Sequence, residues 1–139
     1  MTYKPDSVPS VAPYIIVNDA QKVLDFVKRA FDAEEIQTLR NKNGIIQYAQ
    51  IRIGDGMVML SENKNIASPS TIYLYVADSD CHYERGLASG GTSVCEPEDR
   101  FYGDRNAAVK DPCGNVWWVA THKEALSREI MESRAHEAV

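Results

Sequence analysis

The sequence predicts an α+β fold made of two tandem βαβββ modules followed by a C-terminal helix. Two observations carry this. The second half repeats the first: Tyr14-Ile15-Ile16-Val17-Asn18-Asp19 and Tyr73-Leu74-Tyr75-Val76-Ala77-Asp78 are offset by 59 residues, and each runs into a segment with helical apolar spacing. Each half then closes on a glycine turn and an apolar strand, Gly54-Asp55-Gly56-Met57-Val58-Met59-Leu60 and Asp111-Pro112-Cys113-Gly114-Asn115-Val116-Trp117-Trp118-Val119. Two copies of one unit point to a site built between them, in a concave mixed sheet.

Residues 1–10, polar and holding Pro5 and Pro9, read as a flexible arm. The first module covers 11–61. Its opening strand ends at Asn18-Asp19, where the Asp19 carboxylate can accept the free N–H groups of a helix. Val23, Phe26, Val27, Ala30 and Phe31 give that helix one apolar face. Strands follow at about 34–40, 45–53 and 57–61, separated by turns at Asn41–Gly44 and Gly54–Gly56. Residues 62–70, rich in Asn, Ser and Lys, form a linker.

The second module, 71–122, repeats the order. Its first strand spans 71–77, Asp78 or Ser79 caps a helix that stops at Gly90-Gly91, and strands follow near 93–96, 105–110 and 115–121. The tail, 123–139, is predicted helical over 125–138, with Leu126, Ile130 and Met131 as its apolar stripe and capping-box spacing at 121–124.

Composition narrows the function classes. A chain of 139 residues with 44% hydrophobic content fits one structural domain with a real core. Its net charge of −5 is interspersed, which argues against a nucleic-acid partner. No apolar run is long enough to span a membrane, and residues 1–10 lack a signal-peptide core. Three cysteines without Cys-x-x-Cys spacing, Cys81, Cys95 and Cys113, argue against disulfides or a zinc knuckle and fit a reduced cytoplasm.

Strand parity sorts the side chains. Ile72, Leu74 and Val76 form one face of their strand, and Tyr73 and Tyr75 lie on the other with Thr71. Ala49, Ile51 and Ile53 oppose Tyr48, Gln50 and Arg52 in the same way. The aliphatic faces suit helix packing, whereas tyrosines, an amide and a guanidinium suit the lining of an open cavity. The same parity adds Tyr14 and Ile16, Met57 and Met59, and Val116, Trp118 and Ala120. The candidate ligand-binding set is Tyr14, Tyr48, Gln50, Arg52, Met59, Tyr73, Tyr75 and Trp118.

The repeat, the Phe101-Tyr102-Gly103-Asp104-Arg105 loop and the Asp-Pro-Cys-Gly-Asn-Val-Trp run at 111–117 resemble the vicinal oxygen chelate superfamily. Over residues 11–122 the chain is similar to its glyoxalase/bleomycin-resistance/dioxygenase group, nearest the PhnB-like branch. The resemblance implies paired βαβββ modules around a cavity that dimerisation often completes. In the enzymes of the superfamily it also implies a divalent metal held by His, Gln or Glu on the first and last strand of each module.

Those ligand positions fall on Ala12, Thr71 and Trp118, with the fourth within Met57–Ser61, and none of these supplies the usual donors. No metal and no other cofactor is therefore expected. His82 reads as lying on the solvent side of its helix, while His122 shares parity with Trp118 and could face the cavity mouth, with Glu62 as its companion in a displaced metal site. Cys95 and Cys113 read as structural, Glu96, Glu98 and Asp99 as a solvated acidic patch that could steer a cation, and Asp104–Arg105 as a pair fixing its own loop. No catalytic residue is assigned. The expectation is a metal-free, homodimeric protein that sequesters an aromatic or cationic small molecule; a metal-dependent lyase, isomerase or dioxygenase is the alternative.

Overall fold

The computed structural model describes residues 3–138; Met1, Thr2 and Val139, read above as parts of the arm and the tail, lie outside the described residues. The elements run β1 (Tyr14–Val17), α1 (Ala20–Phe31), β2 (Glu34–Arg40), β3 (Ile46–Ile53), β4 (Gly56–Glu62), β5 (Thr71–Tyr75), α2 (Ser79–Ala88), β6 (Thr92–Asp99), β7 (Asp104–Lys110), β8 (Val116–His122) and α3 (Arg128–Glu137). The α+β architecture of two βαβββ modules and a C-terminal helix is present. The β-structure divides into two mixed four-stranded sheets, ordered β1-β4-β3-β2 and β5-β8-β7-β6. In each, the first and last strands of the module pair in parallel and the others antiparallel.

The repeat is visible in the register. Tyr14 stands opposite Met59, and 59 residues later Tyr73 stands opposite Trp118. Both helices start alike: Asp19 accepts from the N–H of Lys22 and Asp78 from that of Cys81, each filling one of the donors a helix start leaves open. Glu62, at the end of β4, accepts from the N–H of Ala20 and ties the start of α1 to its own sheet.

The aliphatic faces of both sheets turn onto the helices, and one core joins the modules. Phe26, Val27 and Phe31 of α1 share it with Tyr83 of α2, Val109 of β7 and Trp117 and Val119 of β8. The Phe31 and Trp117 rings lie 5.5 Å apart. At the rim, Arg85 of α2 donates to both carboxylate oxygens of Asp32 (2.6 and 2.9 Å) and to the carbonyl of Arg29, satisfying the C-terminus of α1. That pairing holds the Asp32 carboxyl below its ordinary range. His82 belongs to the same contact: its Nδ1 lies 2.8 Å from the Ala30 carbonyl and must donate there. Its expected place on the solvent side of α2 is therefore corrected; α2 is clasped against α1 along that side.

The tail also differs from expectation. β8 runs on to His122, and the N–H groups of Lys123 and Glu124 donate to the Gly103 carbonyl, so residues 121–124 cannot cap a helix. Ser127 caps α3 instead, accepting from Ile130. No residue of α3 is buried.

Candidate functional site

The Asp111–Trp117 run resolves into a structural unit. Asp111, nearly buried, accepts from the backbone N–H groups of Cys113 and Asn115, from the Asn115 amide and, at 2.9 Å, from Trp117 Nε1. One carboxylate thus shapes the β7–β8 turn and pins the buried indole. Burial pushes the neighbouring Cys113 thiol above its ordinary pKa, and the thiol donates to the Asp19 carbonyl; this fits a packing role.

The next residue points the other way. Trp118 lies on the open face of the second sheet with Tyr73 and Tyr75 from β5, Asp104 and Asn106 from β7, and His122 from β8, as the register places them. Tyr73 stacks near Trp118 (6.5 Å, 24° between planes) and meets Tyr75 edge-on at 5.4 Å. Tyr75 is 60% exposed.

Beneath these rings a polar network is fully connected. Tyr73 and Tyr75 donate to one oxygen of the buried Asp104 carboxylate at 2.7 and 2.8 Å, and His122 Nδ1 lies 3.0 Å from the other. Asn106 donates to the hydroxyls of Tyr73 and Tyr102, and its carbonyl accepts from Arg100 Nε at 2.7 Å. Arg100 also reaches Glu98 and the Cys95 sulfur at 2.9 Å and lies 6.0 Å over the Trp118 ring. No buried side-chain nitrogen or oxygen among the described residues lacks a partner.

The charges follow from the geometry. Burial raises the Asp104 carboxyl, but the hydrogen bonds from His122, Tyr73 and Tyr75 and the nearby imidazole outweigh it, so its pKa falls below the ordinary value. Desolvation first, together with Asp104, holds the Tyr73 phenol far above its ordinary value; for Tyr75 the hydrogen bond to Asp104 leads, with desolvation second. Both phenols remain neutral donors at neutral pH. A depressed folded-state pKa contributes stability above the unfolded value, near about 3.9, and the contribution is lost as pH falls through the folded value. The stability gap between wild type and Asp104→Asn should therefore close progressively as pH falls below about 4. Urea midpoints measured across that range check it.

The candidate ligand-binding residues divide between the modules. Tyr73, Tyr75 and Trp118 form the cluster just described. Tyr14, Tyr48, Gln50, Arg52 and Met59 lie on the first sheet, where Tyr14 donates to Ser61 and Gln50 to Tyr48, both at 2.9 Å. Arg52 lies 4.0 Å from Glu34. A hollow of about 260 Å³ between the modules takes Tyr73 and Tyr75, but from the first module it takes Pro13, the Ile53–Val58 turn and none of those five. A second hollow, about 350 Å³, opens at the end of the other sheet among Arg100, Gly103, Asp104, Lys123 and Glu124.

One expectation is corrected here. Asp104 and Arg105 do not pair: adjacent strand residues face opposite ways, and Arg105 reaches Asp80 at the start of α2 and Asp99. Cys95 lies beside a basic residue, Arg100, brought close by the turn after β6. Glu62, named as the companion of His122 in a displaced metal site, accepts from the N–H of Ala20 at the start of α1. Parity marked the face, but it did not single out Asp104 or Asn106 as its organisers. The signal was present, since both share parity on β7 and stand opposite His122 and Ala120.

With this geometry in hand, the chain can be set beside known proteins. The profile of the Glyoxalase/Bleomycin resistance protein/Dioxygenase superfamily matches residues 8–119. The chain belongs to that superfamily. A curated relative, the uncharacterized protein Rv0887c of Mycobacterium tuberculosis, is 34% identical over 122 residues, covering 78% of this chain and 72% of that protein. Among solved structures, TioX from Micromonospora sp. ML1 superposes with a TM-score of 0.71 at 22% identity, covering 82% of this chain and 98% of that one. The fosfomycin resistance protein FosX of Mesorhizobium loti gives 0.64 at 21% identity, covering 88% and 97%. At these identities the structural neighbours speak to fold alone.

The superfamily's metal can be tested against the donors present. The positions that the resemblance implies for it carry Ala12, Thr71 and Trp118, and in β4 the central face holds Met59, opposite Tyr14 and Gln50. Among the described residues no three His, Cys, Asp or Glu side chains are grouped as an ion would require. An indole, a methyl group and a thioether do not make the N/O set of a divalent site, so the residues do not fit that group. Among the described residues no helix is long and apolar enough to cross a membrane.

Proposed function

We propose that the protein is a metal-free, small-molecule-binding member of its superfamily, of the PhnB-like kind, that holds a planar aromatic or cationic ligand against the open face of its second module. One observation carries this reading: Tyr73, Tyr75 and Trp118 present aromatic surface on an exposed sheet face, while the two tyrosine hydroxyls are held from below by Asp104 and, for Tyr73, by Asn106 as well. Rings held in this way offer stacking surface at little cost in side-chain entropy. The buried Asp104 carboxylate and the aromatic faces above it favour positive charge over the sheet. In a homodimer, a second copy would bring its first module, with Tyr14, Tyr48, Gln50, Arg52 and Met59, over this face and close the pocket.

A thermal-shift screen of planar cations, acridine orange among them, tests the reading, because a bound ligand raises stability by mass action. For a hit that quenches tryptophan fluorescence, Trp118→Ala and Tyr75→Ala should each weaken binding by about 10-fold or more, from loss of stacking worth about 1–3 kcal/mol. Unchanged affinity in both variants would refute the site. Elemental analysis of protein purified without chelator separates this reading from a metal-dependent enzyme, which would retain a stoichiometric divalent ion.

A further inference from the structure

We propose that His122 and Asp104 form a general-base dyad on the open face of the second module, able to take a proton from a planar ligand resting on Tyr75. The inference rests on the binding role proposed for that face and adds an activity to it.

The argument begins with the direction of each hydrogen bond. An ionised carboxylate only accepts, so the contact at 3.0 Å makes His122 Nδ1 the N–H donor. Nε2 then carries the lone pair. The imidazole is the exposed member of the pair, with 56% of its side chain accessible against 3% for Asp104, so Nε2 is open to a ligand while its orienting partner is not. Nucleophile–base–carboxylate constellations use the same division of labour: a buried carboxylate fixes the tautomer and orientation of an imidazole and stabilises the imidazolium that forms.

The remaining partners hold Asp104 in its accepting state. Tyr73 and Tyr75 both donate to its second oxygen, and Asn106, oriented by Arg100, donates to the Tyr73 hydroxyl. The donors run in one direction, from Arg100 through Asn106 and Tyr73 to the carboxylate, with His122 opposite. Tyr75 and His122 bind different oxygens of the same carboxylate, so a ring lying on the exposed face of Tyr75 brings its edge beside the imidazole. Besides His122, Tyr73 and Tyr75 from β5 bond Asp104; Asn106 from β7 reaches it through Tyr73, and Arg100, Lys123 and Glu124 border the hollow that opens beside it.

The ligand class follows. The face offers aromatic stacking, a lone pair at Nε2 and a lone pair on the Tyr75 oxygen. It suits a planar ring bearing an acidic proton, either on a ring hydroxyl or on carbon beside an electron-withdrawing group.

A nitrobenzisoxazole is a direct probe because it is planar and its single acidic C–H reports proton removal optically. Nε2 takes the proton, the C–H electron pair becomes part of the nitrile triple bond, the N–O bond breaks, and a coloured nitrophenolate leaves. The proton on Nε2 then passes to water. Wild-type protein should catalyse this with a kcat/KM about 10²-fold above the second-order rate of free imidazole. His122→Gln, at an exposed position that should not disturb folding, should fall to background while the probe quenches Trp118 fluorescence as before. Asp104→Asn, a positioning change, should lower kcat about 10-fold or more at saturating probe, a loss separate from any change in quenching affinity. Tyr75→Phe, which keeps the ring, should retain quenching. Turnover that persists in His122→Gln overturns the dyad, as does wild-type quenching without turnover; in the latter case the binding role stands. Absence of both quenching and turnover overturns the two readings together.

Discussion

Trp117→Ala should destabilise the protein by about 3–5 kcal/mol, the cost of deleting a large, fully buried aromatic side chain. Trp117 is wholly inaccessible, its ring packs 5.5 Å from Phe31 of the other module, and its Nε1 donates to the buried Asp111. The substitution removes apolar contact between the modules and strips Asp111 of one donor. Asp111→Ala should cost about 2–3 kcal/mol by the converse route, leaving the indole N–H and the Asn115 amide without their acceptor. Trp118→Ala is the internal control. It removes the same kind of side chain one residue later, on the open face, and should cost far less. Urea unfolding of the three variants checks the set. Equal losses at positions 117 and 118 would mean that the strand does not divide its faces between core and site.

Gly103→Ala should cost about 2–4 kcal/mol, more than alanine at the other turn glycines. Gly103 sits at φ +100°, a conformation an L residue resists, and an added Cβ would press into the backbone carbonyl of Glu124. The contact cannot relax freely, because the Gly103 carbonyl accepts from both Lys123 and Glu124. Asp104 follows immediately, so displacement of this turn should also loosen the carboxylate beneath Tyr73 and Tyr75. Gly44→Ala provides the comparison: φ is +82°, but nothing lies within 4 Å of the new methyl, so only conformational strain of about 1 kcal/mol remains. A Gly103→Ala protein as stable as Gly44→Ala would show that the turn is not held against residues 123–124.

Much of the architecture was legible in the sequence because it rests on short-range periodicity. The duplicated strand–helix openings, the capping aspartates Asp19 and Asp78 and the split of Tyr73 and Tyr75 from Ile72 and Leu74 are all consequences of local spacing. The C-terminal helix began later than its pattern indicated. The amides of Lys123 and Glu124 were already engaged by Gly103, a partner twenty residues away that no local signal reveals. His82 was misplaced for the same reason: helical spacing within α2 says nothing of α1 closing over it.

The candidate site divides in the same way. Residue order and parity by themselves determined which side chains stand on each strand face, since a pleated strand alternates without reference to its neighbours. Only the tertiary structure decided how those faces are organised. It set the register that places Asp104 opposite His122 and beneath two tyrosines, and it turned Arg105 away to α2. It also left the aromatic residues of the two modules on separate sheets. Alternation is a property of one strand, whereas a buried carboxylate with three donors comes from three strands whose pairing depends on the whole core.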